Sequence, residues 1–412
     1  MSIDIKMAWR NIWRNPRRTI LTIGAITFAS LLLVFMLSFQ FGSYETMINS
    51  SVKIHTGHLQ IQADEYQDKK SIRLVVTNPE KIAALVDDIP KVAAYTFRGQ
   101  GFSLISSEQR TYGVVVTGID PQGETDVSRL KSLIRQGEFL SGADTDQALV
   151  GKLLARNLRV SIGDELSLVG QGRDGSIAAT VVKVKGIFSS GIDELDRASI
   201  HIPLKTFQEI YSMQDAVHEV VLIADSLQDI DKIKHTIKSD LASLNLKKPL
   251  IVLDWNELMP GLRQSIEMDL ISGLIFYLLL LLVVAFSILN TFLMAIFERT
   301  REFGVMMAIG TTPGRLTKIL LIESMAMTFV GVVVGILTGS LITIYFQSHG
   351  IDLSGASELL SQFGITGRMY PKLSLLSAVS GPLAVLVITF FTALYPALKV
   401  RRMHPVEAMR AV

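Results

Sequence analysis

The sequence contains no cysteine among its 412 residues. Disulfide bonds, thiolate metal sites and a cysteine nucleophile are therefore excluded. Charged residues make up only 19% of the chain, and the formal net charge is +2. Hydrophobic residues make up 49%, and the mean hydropathy is positive. This balance predicts a membrane protein with a substantial soluble portion, and no nucleic-acid partner is expected.

Charge is nearly absent from four long hydrophobic segments. Each is longer than the roughly 20 residues that a helix needs to cross a bilayer. The only charged residue within them is Glu323, near the start of the third. The first lacks a cleavage site and is too long for a signal peptide, so we expect it to remain as an anchor. The predicted transmembrane helices cover residues 19–41, 270–297, 319–345 and 373–398.

Basic residues flank these segments unevenly. They are concentrated in residues 1–18, 298–318 and 399–412, while residues 346–372 have few. By the positive-inside rule, both termini and the 298–318 loop are expected in the cytosol. The segment 42–269 is then expected on the opposite side of the membrane. Residues 1–18 are predicted to form an amphipathic helix at the cytosolic surface, where Trp9 and Trp13 favour the headgroup level.

The insert between the first and second spans is long enough for a folded domain. Tyr112–Thr117 and Ile177–Phe188 are rich in β-branched residues and predict strands, whereas Leu227–Leu244 carries a helical apolar stripe. The expected fold is therefore an α-helical membrane protein with four transmembrane helices and a large extracytoplasmic α+β domain, built from two lobes, between helices 1 and 2.

The segment 298–310, ERTREFGVMMAIG, is charged at its start and apolar afterwards. As a helix from Glu298 it would place Phe303, Met306, Met307 and Gly310 on one stripe. Gly310 would end this helix, and Thr312 with Pro313 would begin the next. The helix is either a handle for a soluble partner or a connector lying on lipid headgroups.

Three motifs resemble those of FtsX-like ABC-transporter permeases. They are the 298–316 run ERTREFGVMMAIGTTPGRL, the N-terminal AWRNIWRNPRRTILT from Ala8, and the C-terminal YPALKVRRMHPVEAMR from Tyr395. Thr311 stands where the family often has alanine. The resemblance implies that the insert is a MacB-like periplasmic domain and that residues of the 298–310 segment couple to an ATPase. The residues implied in ATPase coupling are Glu298, Arg299, Arg301, Glu302, Phe303, Gly304, Met307, Ala308 and Gly310.

A phosphate-binding loop is also missing. Gly170–Gly175 is glycine-rich but lacks the Lys-Ser/Thr of a P-loop, and a hairpin turn explains it. The chain is therefore expected to be a permease subunit and not an enzyme, with no cofactor of its own. The resemblance implies an ATPase subunit in trans, carrying ATP and magnesium, and a second permease chain in a homo- or heterodimer.

Within the family, the insert resembles the lipoprotein-releasing branch of the LolC/LolE type. The similar segments begin at Gly57 (GHLQIQ), Gly151 (GKLLARNL) and Gly186 (GIFSSGIDELD). The resemblance implies mechanotransmission that extracts lipoproteins or other acylated substrates from the outer leaflet, with a periplasmic chaperone or adaptor as a further partner. From their positions, Phe35, Phe39, Phe276 and Tyr277 are expected to line the acyl-chain cavity between two chains.

Two other functions remain open at this point. The chain could serve as a macrolide- or peptide-type efflux permease working with a periplasmic adaptor, or as a non-transporting signalling complex that regulates a periplasmic enzyme. His55 and His58 are close together, but they lack a third ligand, and a strand edge explains them better than a metal site. Glu323 is expected to reach interfacial water or to pair with Lys318 or Arg315, and no catalytic constellation is expected.

Overall fold

The computed structural model describes residues 3–244, 248–352, 355 and 368–401. Most of the predicted 346–372 loop and, from residue 402, the C-terminal tail and its motif lie outside the described residues. The chain divides into two compact units. The membrane unit comprises the described residues of Met1–Tyr44, Ser265–Asp352 and Arg368–Val412, and the inserted domain contains Glu45–Gln264.

The predicted four-span fold is confirmed, because four helices are long and apolar enough to cross a membrane. We call them spans one to four: α2, α11, α13 and α14. Span two has 39 residues, or about 58 Å at 1.5 Å per residue. The helices are α1 Ile3–Ile12, α2 Pro16–Val52, α3 Tyr66–Lys69, α4 Pro79–Asp87, α5 Pro121–Val127, α6 Lys152–Leu158, α7 Asp193–Ala198, α8 Leu204–Ile210, α9 Ile230–Ser243, α10 Trp255–Leu258, α11 Pro260–Glu298, α12 Thr300–Ala308, α13 Pro313–His349 and α14 Leu375–Arg401.

Ten strands of the inserted domain form one sheet, in the order β10-β1-β9-β2-β3-β8-β5-β7-β4, with β6 pairing β2 and β7. Two short strands, β11 and β12, pair in the membrane unit. The strands are β1 Leu59–Ala63, β2 Val92–Ser106, β3 Thr111–Ile119, β4 Ile134–Gly137, β5 Gln147–Gly151, β6 Glu165–Gln171, β7 Ile177–Phe188, β8 Ser199–Pro203, β9 Glu219–Ala224, β10 Leu250–Asp254, β11 Ile351–Asp352 and β12 Arg368–Met369.

Span one packs closely on span three along a row of glycines. A Cβ at Gly335 would lie 2.5 Å from the Cβ of Ser30 and 2.8 Å from the carbonyl oxygen of Thr27. Gly331 and Gly339, one turn away on either side, approach Ile26 and Val34 in the same way. Small residues at this spacing let two helix backbones meet within a membrane.

A polar cluster joins span one to span two, near the C-terminal end of α2 and the N-terminal end of α11. The hydroxyl of Tyr44 donates to Asp269 at 2.5 Å, and the amide of Gln40 donates to the same carboxylate oxygen at 3.2 Å. Tyr277 in turn donates to Gln40 at 2.7 Å. These bonds link span one to span two.

The inserted domain contains two main apolar clusters on one sheet. One is built around β3, β5, β6, β7 and β8 and the helix α6; the other is built around β1, β9, α4 and α9. The 15-residue strand β2 pairs with β3 along one edge, and along its other edge it pairs first with β9 and then, from Ser103, with β6. The predicted lobes are thus two cores within a single compact unit.

Most of the secondary structure predicted in the insert agrees with the structure. Ile177–Phe188 is strand β7, and Ile230, Ile233 and Ile237 are buried on one face of α9. The glycine-rich segment 170–175 forms the predicted turn between β6 and β7. Val150 and Gly151 end strand β5, and the helix α6 begins directly after them at Lys152.

Two buried polar residues of the inserted domain, Arg98 and His218, are paired inside the protein. Arg98 and Glu124, both almost fully buried, form an ion pair at 2.6 Å. His218 accepts a hydrogen bond from the backbone N–H of Gln100 at 2.9 Å and donates to the carbonyl of Ile72 at 3.2 Å. This arrangement requires the neutral ring, and burial lowers the pKa of His218 to about 4.

We predict that Gly335→Ala lowers the apparent melting temperature of the detergent-solubilised protein. The added methyl group must displace Ser30 or the backbone of span one, which corresponds to about 1–3 kcal/mol of overpacking. Gly24→Ala is the matched control, since a Cβ there meets nothing within 4 Å. Equal melting temperatures for the two variants would contradict the proposed close contact.

We also predict that the inserted domain loses stability as the pH falls from 6.5 towards 4. The folded pKa of His218, about 4, lies below its ordinary value of 6.5, so the unfolded state takes up the proton first. In His218→Gln, the slope of unfolding free energy against pH should decrease by up to about 1.4 kcal/mol per pH unit in this window. Trp255 fluorescence in a Trp9→Phe/Trp13→Phe background measures it, and an unchanged slope would refute the assignment.

Candidate coupling site

The predicted coupling helix is present as α12, bounded by two defined breaks. It begins at Thr300, after Arg299 leaves helical geometry at φ −107°, so Glu298 belongs to span two and not to α12. The helix ends as predicted at Gly310, whose φ of +105° favours glycine. The backbone N–H groups of Gly310 and Thr311 donate to the carbonyls of Met307 and Met306, both at 3.0 Å, which is a Schellman cap.

The next helix starts where the sequence predicts. Thr312 is the N-cap of α13, and Pro313 occupies its first turn. The hydroxyl of Thr312 makes no capping hydrogen bond, so the start depends on the fixed φ of proline.

The apolar stripe of α12 packs inside the membrane unit. Phe303 and Met307 are buried in a cluster with Ile296, Leu316 and Val400. Of the residues expected to couple to an ATPase, four are buried: Arg299, Phe303, Gly304 and Met307. Their side chains therefore position the helix and are not available to a partner at this surface.

The opposite face of α12 is exposed. Of the predicted residues, Arg301, Ala308 and Gly310 lie there, and the carboxylates of Glu298 and Glu302 are partly exposed. Sequence reasoning missed Val305 and Ile309, the latter 81% exposed. The i, i+4 spacing of Arg301 and Val305 would have indicated this second face.

Ion pairs link the junction between α1 and span one to Glu298 and Glu302 of the coupling segment. The guanidinium of Arg14 binds both carboxylate oxygens of Glu302, with Nη1 at 2.9 Å from Oε2. Arg18 binds Glu298 at 3.2 Å. Hydrogen bonding from Arg14 lowers the pKa of Glu302 from its ordinary 4.5, so the pair remains ionised at neutral pH.

Glu323 takes part in a second, buried ion pair. Its carboxylate accepts hydrogen bonds from Arg299 at 3.2 Å and from the amide of Asn11 at 2.6 Å. The expected pairing with Lys318 or Arg315 is therefore corrected to a pairing with Arg299. Arg299 also reaches Glu302 at 3.4 Å. One connected polar network thus links α1, α12 and span three.

The four residues expected to line a substrate cavity are not brought together within the chain. Phe35 stacks on Phe39, with ring centroids 6.3 Å apart, and meets Phe346 of span three edge-on at 5.9 Å. Tyr277 faces span one through Gln40. Only Phe276 points away from the unit, with 67% of its surface exposed.

The two histidines weighed as metal ligands have protein partners. His58 contacts the side chain of Asn49 at 2.9 Å and accepts from the backbone N–H of Ala224 at 3.0 Å. His55 lies within hydrogen-bonding distance of Gln100 at 3.0 Å. Among the described residues, no three His, Asp or Glu side chains are grouped as a metal site would require.

Two protein-family models match this chain. Residues 19–240 match the family model for the MacB-like periplasmic core domain, and residues 274–405 match the model for the FtsX-like permease C-terminal region. The first match alone covers more than half of the chain.

Curated relatives agree with these matches. The lipoprotein-releasing system transmembrane protein LolC of Xylella fastidiosa is 26% identical over 341 residues, which is 79% of this chain and 80% of LolC. The pyoverdine export ATP-binding/permease protein PvdT of Pseudomonas syringae is 24% identical over 98% of this chain and 59% of its own length. The crystallised periplasmic region of MacB from Actinobacillus actinomycetemcomitans aligns at 15% identity with a TM-score of 0.39, covering 53% of this chain and 97% of that region.

We predict that Arg299→Gln and Glu323→Gln each destabilise the solubilised protein more than the double variant does. Each single change leaves one buried charge without its partner, a loss of about 3–5 kcal/mol for buried pairs, whereas the double change removes both charges. Thermal unfolding of the four proteins measures the coupling. Additive effects of the two single changes would contradict a direct interaction. Arg10→Gln, on the exposed side of α1, is the control for loss of a surface cation.

Proposed function

The chain belongs to the FtsX-like permease family, with a MacB-like periplasmic core domain between its first two spans, and from this premise we propose that it extracts lipoproteins or other acylated substrates from a membrane leaflet. That the chain is an ABC-transporter permease follows from the family itself. Membership also implies an ATPase partner and a permease dimer. The cargo and the mechanism are our proposals.

The ATPase is proposed to act on the exposed face of α12. This face presents Arg301, Val305 and Ile309, a cation beside two apolar side chains. Because the opposite face is buried and α12 is bounded by breaks at Arg299 and Gly310, a push on this face moves the helix as one piece. The Arg299–Glu323 pair carries that movement into span three, and the Arg14–Glu302 pair carries it into the connection between α1 and span one.

The observation that supports an acylated cargo is the exposed apolar surface of span two. Only 17% of its most hydrophobic window is buried in the chain, against 44% for span three. Phe276, Leu279, Val283 and Phe286 are among its exposed residues. Such a surface suits a second chain and the acyl groups of a substrate between them, and residues 270–297 of this span carry no charge.

The expected orientation places α1 and α12 in the cytosol and the inserted domain in the periplasm of an inner membrane. The basic residues beside α1 and α12 support it by the positive-inside rule. LolC relatives that match 79% of the chain support the lipoprotein branch. A second candidate, small-molecule export with a periplasmic adaptor, is favoured by the match of PvdT along 98% of the chain.

Reconstitution tests the cargo. The complex co-purified with its ATPase is placed in liposomes with an acylated lipoprotein or its non-acylated form. We expect ATP-dependent release of the acylated form alone. ATP hydrolysis without release, together with transport of a siderophore or macrolide, would replace this proposal with the export function.

The docking face is tested by Ile309→Asp. A buried carboxylate at an interface lacks a partner, so we expect ATPase binding and ATP-dependent release to fall roughly tenfold or more, with unchanged membrane insertion. Leu375→Asp is the matched control, because Leu375 is as exposed at the start of α14. Normal coupling in Ile309→Asp would exclude this face as the contact.

A further inference from the structure

A cavity of about 740 Å³ lies between the first turn of span one and the last turns of span two. Its walls, contributed by spans one and two and by Asn15 just before span one, combine cationic, amide and hydroxyl groups with an apolar edge. They also include the carboxylate of Glu298, which is paired with Arg18. We propose that this cavity binds the headgroup of one anionic phospholipid. The inference concerns the membrane unit alone and does not depend on the cargo proposed above.

The positive charge available in the cavity comes from Arg17. Arg14 and Arg18 are both basic residues of the same segment, but they are paired with Glu302 and Glu298. Arg17 is exposed, lines the cavity, and its side chain has no protein partner within the described part of the chain. It is thus the arginine left to neutralise an anion.

Backbone N–H groups at the start of span one add positive charge beside Arg17. Span one begins at Pro16, so the N–H groups of Arg17 and Arg18 fall in its first turn, where a helix has no carbonyl to accept them. The helix dipole adds a partial positive charge at this end. Backbone N–H groups with an arginine beside them form a strong site for a phosphate oxygen.

The wall of the cavity that span two forms contains the side-chain amide of Asn290, a polar group in a largely apolar helix. Asn290 lies within span two, about 12 Å along the helix from Glu298, and is exposed. Its side chain makes no hydrogen bond to any residue that the structure describes. A polar group facing hydrocarbon is costly, so a polar ligand at this depth would stabilise it. Asn15 and Thr291 line the cavity beside it and supply further hydrogen-bonding groups.

Exposed apolar side chains border the cavity. Met294 lines it, and Ile20 and Leu21, one turn after Pro16, are 61% and 74% exposed. Acyl chains attached to a headgroup held at Arg17 would run along this surface. Free phosphate would use the arginine and the N–H groups but would gain nothing from this apolar border, which is why we assign a lipid.

Native mass spectrometry of the complex purified with its partner subunits tests the site, with phosphatidylglycerol, phosphatidylethanolamine and inorganic phosphate as probes. We expect phosphatidylglycerol to be retained at least fivefold more than phosphatidylethanolamine. Arg17→Gln should abolish this preference, and Asn290→Val should weaken retention of both lipids. Arg10→Gln, an exposed arginine of α1 outside the cavity, should leave the preference unchanged.

Three results would overturn the proposal. Equal retention of the two lipids by the unaltered complex would remove the anion requirement. Displacement of the lipid by millimolar phosphate would make the ligand free phosphate. Efficient disulfide formation between two chains carrying Asn290→Cys, with no lipid retained, would show that a second copy fills the cavity. Melting temperatures of both variants establish that any loss of lipid is not a loss of folding.

Discussion

The membrane unit depends on backbone contact between spans one and three at Gly331, Gly335 and Gly339. A lipid bilayer gives no hydrophobic gain for placing one apolar helix on another, so dispersion at short range must hold the helices together. Glycine permits this distance because it has no Cβ. Gly381 of span four makes the same kind of close approach to Leu33 of span one. Span one therefore meets both span three and span four at glycines of those helices.

Span two is held differently. It has less buried surface than span three. Polar links join it to span one at Asp269 and Tyr277 and again at Glu298. Between these links one face, at Val284 and Ile288, packs into the core of the membrane unit, while the other face is exposed. This exposed face is suited to contact other molecules, whether protein, substrate or lipid.

The sequence predicted those features that depend on local chemistry. Charge-free runs gave the four spans, Gly310 and Pro313 marked the helix breaks, and alternation identified β7. The partner of Glu323 was not predictable in this way. Arg299 reaches it only because the chain breaks between α11 and α12, which turns the guanidinium back towards span three.

The orientation of α12 was the other failure, and its cause is similar. An amphipathic stripe shows that a helix has a face to bury but does not identify what covers it. Phe303 and Met307 looked like the contact surface for a partner, and the protein's own Ile296 and Leu316 cover them. The exposed face of α12 carries Arg301 beside Val305 and Ile309, and a hydropathy pattern does not detect such a mixture of charged and apolar side chains.

The pairing of β1 with β10 has a mechanical consequence for the inserted domain. β1 is the first strand after span one and β10 the last before span two, and Leu59 lies opposite Asp254 in an antiparallel ladder of five residue pairs. The chain thus enters and leaves the domain at neighbouring points. If both connections are pulled together, the ladder travels as one body and its hydrogen bonds carry no load. If only one is pulled, the five pairs are sheared past each other. The domain is therefore suited to follow concerted strokes and to resist unequal ones.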